Sequence, residues 1–115
     1  MTQYMMSVWH SPKNPVPSDP EVMQKAFEAT DAFNNELQAA GVWVFGGGLE
    51  RQRASIVATD GMVTDGPFPE TKEVIGGFAV VDVPSREEAL TWAAKIAVAC
   101  RCAQEVRELL PDPEV

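Results

Sequence analysis

The run VIGGFAVVDV, residues 74–83, constrains this chain more than any other stretch. It is apolar almost without interruption and rich in Val, and Pro84 stops it. Such a run suits a central strand covered on at least one face. A strand of that kind needs neighbours on both sides and a layer packed against it. The rest of the sequence must supply them.

Gln3–Trp9 is a short aromatic and β-branched run and reads as a strand. HSPKNPVPSDP follows, and four prolines in eleven residues exclude a helix or a central strand there. Ser18 with Glu21 has capping-box spacing, and Asp19 and Pro20 suit a first helical turn. Met23, Ala26, Thr30, Phe33, Leu37 and Ala40 recur in steps of three and four, which predicts one apolar helical stripe ending before Gly41. VWVFGGGL reads as another strand. ASIVATDGMVT reads as a hairpin, with Asp60-Gly61 at the centre of a type I′ turn. After Pro84, Ser85 and Glu88 repeat the capping box, and Leu90, Ala93, Ile96 and Ala97 are expected to form a second buried helical face. AQEVREL supplies a last strand. The order β-α-β-β(hairpin)-β-α-β predicts an α+β fold: a ferredoxin-like antiparallel sheet with two helices on one face. One domain over 1–110 with a short acidic tail, 111–115, accounts for the 115 residues. The other sheet face would be left bare, so a homodimer of the dimeric α+β barrel type is expected.

A net charge of −8 argues against nucleic acid and against anionic membrane surfaces. No run approaches a membrane span, and MTQYMMSVWH lacks the basic region of a signal peptide, so a cytoplasmic protein is expected. Cys100 and Cys102 are read as reduced thiols, and without a second Cys or His pair they predict no metal site and no cofactor.

Few side chains offer chemistry. His10 is the one histidine and could act as a base, although a solvated strand end is the simpler reading of it. TDGPFPETKEVIGGF, residues 64–78, concentrates turn residues and charge. Asp65 and Gly66 are turn chemistry, while Glu70 and Lys72 share a face if extended and could serve as acid and base. Phe68 is held extended between prolines and, with Trp43, could wall a small-molecule site. Gly46–Gly48 lacks the phosphate-loop pattern and reads as a bulge or a close approach of backbones.

DGPFPETKEVIGGF resembles the signature of the DGPF proteins, a branch of the YCII-related (YciI-like) family. YMMSVW, FNNELQAAGVWVFGGGL, VPSREEALTWAAK and EVREL are similar to that family's strands and helices, so the resemblance spans nearly the whole chain. It implies a ferredoxin-like fold, a homodimer, and a ligand-binding or accessory role, in some members beside a sigma factor in stress signalling. A few relatives are lyase-type dehydrochlorinases that use a helical His and an Asp. The matching positions here are Thr30 and about Ile96, neither an acid or a base. An enzyme of this kind would therefore need a site rebuilt around Asp65, Glu70 and Lys72, with His10 contributing.

Overall fold

The computed structural model describes residues 1–10, 18–49, 54–66 and 74–111. They form β1 (Thr2–His10), α1 (Pro20–Ala39), β2 (Trp43–Gly48), β3 (Ser55–Val57), β4 (Val63–Asp65), β5 (Val74–Val83), α2 (Arg86–Cys100) and β6 (Ala103–Glu108). Four strands make an antiparallel sheet in the order β2-β5-β1-β6, with the apolar β5 and β1 at its centre. Both helices pack on one face, the arrangement the element order predicts. The β3–β4 hairpin is a separate two-stranded sheet.

Register divides β1 by parity. Tyr4 and Met6 face the helices and join Val81 and Val83 of β5 in the core. Phe33 and Leu37 of α1, Val42, and Ala89, Ala93 and Ile96 of α2 complete it. Leu37 is fully buried, which stabilises the fold by roughly 1.5–3 kcal/mol relative to exposure. Phe33 meets Trp92 edge to face at 5.9 Å. The opposite face carries Met5, Ser7 and Trp9 of β1 and Phe78 and Val80 of β5. Ser7 is fully buried there, and its Oγ accepts the Trp9 indole N–H at 2.8 Å.

Three local expectations are corrected. The α1 cap is Asp19 and not Ser18: Asp19 is extended (φ −77°, ψ 119°) and its Oδ1 accepts from Glu21 N at 2.9 Å, with Pro20 opening the helix. Leu90 is 43% exposed, because Ala89, Ala93 and Ile96 take the buried line and Leu90 turns toward the groove beside Ala29 and Ala32. The hairpin turn is not type I′. Only Gly61 has positive φ (+87°), Gly61 N donates to Ala58 O at 2.9 Å, and Ala58 N donates to Met62 O at 2.8 Å. This is a three-residue connection ending in a left-handed glycine, and Asp60 Oδ1 secures it by accepting from Met62 N at 2.9 Å. The second N-cap is Ser85, as expected, with its Oγ accepting from Glu88 N at 3.2 Å. Gly41 (φ +75°) ends α1.

Candidate ligand cavity

Two rows of residues across the helix-facing side of the sheet create the site. The first is Met6, Ala79 and Gly46; the second is Val8, Gly77 and Gly48. The β2 and β5 members are alanine or glycine, so this corner of the sheet has little side-chain layer. A bulge between Trp43 and Phe45 lays the Trp43 indole over Gly46, where an added Cβ would lie 3.0 Å from its Cη2. The first row is therefore covered. In the second row an added Cβ on Gly48 would meet nothing nearer than Gly76 O at 4.0 Å, while one on Gly77 would press on Gly47 O at 3.1 Å and Gly48 Cα at 3.3 Å. Above it pass Met23, Ala26, Phe27 and Thr30 from the first half of α1. The result is a cavity of about 410 Å³ between helix and sheet. Met23, Ala26 and Thr30 belong to the predicted apolar stripe but are only half-buried, because they face this space.

His10 closes one side. The register of β1 against β5 slips after Val8, which leaves Gly76 without a partner. A Cβ on Gly76 would sit 2.9 Å from His10 Nε2 and 3.0 Å from Cδ2, so the bare glycine gives the imidazole its place. His10 Nδ1 is buried and has no hydrogen-bond partner among the described residues. Leaving such an atom unsatisfied costs about 1–3 kcal/mol; Asp82 Oδ1 is a second buried atom of this kind among the described residues.

The far wall comes from the end of α2. Ile96, Cys100, Cys102 and Gln104 line it. Arg101 adopts the left-handed region (φ 58°) and turns the chain into β6. Cys102 Sγ donates to Cys100 O at 3.0 Å, and Gln104 Nε2 donates to Cys102 O at 3.4 Å. Both thiols are free. Burial, then the adjacent Cys102, pushes the Cys100 thiol up to about 12. These sulfurs thus serve as soft apolar wall. Asp31 and Asn34 stand at the rim on α1.

Of the residues the sequence singles out, His10 lines the cavity. Trp43 does not line it; the indole packs on the core and covers Gly46. Asp65 is exposed at the end of β4, on the hairpin, and is not among the lining residues. Phe68, Glu70 and Lys72 lie outside the described residues. Thr30, and Ile96 at about the position matched to the relatives' Asp, both line the cavity. Sequence reasoning did not single out Asp31, Gln104, Gly48 or Gly77 as site residues. The glycine pairs were a signal, but only register tells which of them borders a void. Among the described residues no three His, Cys, Asp or Glu side chains gather to hold a metal ion, and no described helix is long and apolar enough to cross a membrane.

Fold and cavity together define a small α+β domain with a pocket between its first helix and its sheet. The model of the YCII-related domain matches residues 2–111, and the chain belongs to that family. Among solved structures it is similar in fold to a 5-chloro-2-hydroxyhydroquinone dehydrochlorinase from Burkholderia phenoliruptrix, in complex with 2,5-dihydroxybenzoquinone. That match has a TM-score of 0.57 and 15% identity, and covers 97% of each chain. No curated protein matches the sequence.

Proposed function

We propose that this protein binds a small organic molecule in the cavity between α1 and the sheet, with His10 as its buried polar contact, and acts as a ligand-binding accessory protein of the DGPF branch. The supporting observation is a space of about 410 Å³ lined in part by His10, whose Nδ1 has no hydrogen-bond partner among the described residues, and this volume is within the usual size range of small-molecule sites. The homodimer expected for this fold would form through the outer sheet face, where Phe45 is 63% exposed next to Phe78. A regulatory partner such as a sigma factor, and a cytoplasmic location, belong to the same reading by family resemblance. A fragment screen by ligand-observed NMR tests it, repeated on Gly48→Leu, whose side chain would enter the cavity. Fragments that bind the wild type and are lost in the variant support the reading. A screen without hits, or hits indifferent to the variant, overturns it.

A second reading is favoured by the same imidazole: His10 could take a proton from a bound substrate, as a general base in a lyase-type reaction. The fold neighbour is a dehydrochlorinase, which gives the reading a direct assay. Chloride release from 5-chloro-2-hydroxyhydroquinone, abolished by His10→Ala, would support it. No release under conditions where ligands bind would leave the binding role alone. The exposed position of Asp65 lends no support to a site rebuilt around Asp65, Glu70 and Lys72.

A further inference from the structure

Asp82 carries a buried acid oxygen outside the cavity. On β5 it stands between Val81 and Val83, both fully buried in the core, so its side chain is on the outer sheet face, opposite Gln3 of β1. Its Oδ1 is buried and has no hydrogen-bond partner among the described residues. An unsatisfied charged acceptor costs more than a neutral one, and a cation is its natural partner. Among the described strands only β6 carries an arginine or lysine, Arg107. It lies opposite Met5 and next to Val106, which packs on the core, so it shares the outer face with Asp82. Its side chain is 71% exposed. Only Nε is engaged, donating to Glu105 Oε1 at 2.6 Å, and the two terminal amino groups are free among the described residues. One face thus bears an acid that lacks a donor and an arginine with donors to spare. β1 lies between their strands, and within the chain the two side chains do not meet.

A two-fold dimer needs a face of this kind, because each contact from one residue to a second is matched by the same contact in reverse. Apolar surface beside the charges, with Phe45 63% exposed against Phe78, supplies a centre for the contact. We infer that the outer sheet face docks on a second copy of this chain through two symmetric ion pairs, Asp82 with the partner's Arg107 and Arg107 with the partner's Asp82. The inference rests on the homodimer just proposed and adds the contact that fixes its register. A guanidinium offers parallel N–H groups to the two oxygens of a carboxylate, so the pair sets orientation as well as attraction. A different protein would have to present both an acid and a cation at matching positions. A second copy does so by symmetry.

Sedimentation velocity at one fixed protein concentration reads the pair. The wild type should sediment as a dimer. Asp82→Arg alone and Arg107→Asp alone should each be monomeric, because each sets like charges against one another at both contacts. An equimolar mixture of the two variants should restore the dimer, since one reversed pair and one native pair then form. No contact within a single chain gives that rescue. Melting temperatures confirm that the variants fold. If either does not, Asp82→Asn and Arg107→Ala take their place: each should weaken dimerisation by about tenfold or more, and the double variant no further than either single one. Dimers retained by both folded variants, a mixture that stays monomeric, or additive effects in the second set would overturn the ion pair and leave the homodimer standing. A monomeric wild type would overturn both.

Discussion

The glycine triplet 46–48 offers the sharpest test, because Gly46 and Gly48, two identical residues in one strand, should answer differently to the same methyl group. At Gly46 an added Cβ would lie 2.5 Å from Phe78 O and 2.9 Å from Ala79 Cα. Carbon atoms in contact sit about 3.5–4.0 Å apart, so the overlap is roughly 1 Å and is against backbone. Neither atom can rotate away; β2 and β5 must separate locally. Overpacking of this kind costs about 1–3 kcal/mol. For a chain of 115 residues, roughly 4 °C of melting temperature accompanies each kcal/mol, so Gly46→Ala should melt about 4–12 °C low. Gly48→Ala meets nothing closer than 4.0 Å, and Gly48 does not have positive φ. There the methyl group mainly restricts the unfolded chain, worth about 0.4–1 kcal/mol of added stability, so it should melt at or roughly 2–4 °C above wild type. Differential scanning calorimetry at one fixed protein concentration decides it, since association would shift both values. A Gly46→Ala variant that melts with the wild type, or a Gly48→Ala variant that falls equally far, would refute the two rows of residues from which the cavity is built.

Gly76→Ala should shift the His10 imidazole and not the strand, because the atoms it meets are the end of a side chain. Stability should change by under ~1 kcal/mol, while the His10 ring resonances move and ligand affinity falls several-fold in an NMR titration. Asp19→Ala should cost about 1 kcal/mol in urea denaturation and Asp19→Asn much less, whereas Ser18→Ala should be nearly neutral, since Asp19 holds the cap. The Cys100 thiol is raised from its ordinary value near 9 to about 12, so the folded state holds its proton more tightly than the unfolded chain. That contribution is complete below about 9 and is lost as pH rises toward 12. Denaturation midpoints at pH 8, 10 and 11 should fall, and less steeply in Cys100→Ser. For the outer sheet face, sedimentation velocity should show a dimer that Phe45→Arg converts to monomer; a monomeric wild type would refute that interface.

The fold was legible because its signals are local. VIGGFAVVDV reads as a central strand, Pro84 with Ser85 and Glu88 as a helix start, and Gly41 as a helix end, each decided within a few residues of chain. The misses were local too: Ser18 and Asp19 are both good caps in adjacent positions, and Asp-Gly serves a two-residue and a three-residue turn alike. The cavity is different in kind, because it consists of side chains that are missing, from strands far apart in sequence. Gly46 and Gly48 lie two residues apart on one strand, yet one is crowded by backbone and a tryptophan while the other borders open space. At Gly46 the crowding comes from the β5 backbone and from Trp43, beside the register slip in β2, while a second slip leaves Gly76 beneath His10. Neither slip leaves a mark in the sequence beyond a repeated glycine. The charged stretch at residues 64–73 drew attention because polar chemistry is conspicuous in a sequence. The walls described here instead come from apolar strands and helices, where a missing side chain looks like ordinary punctuation until register is known.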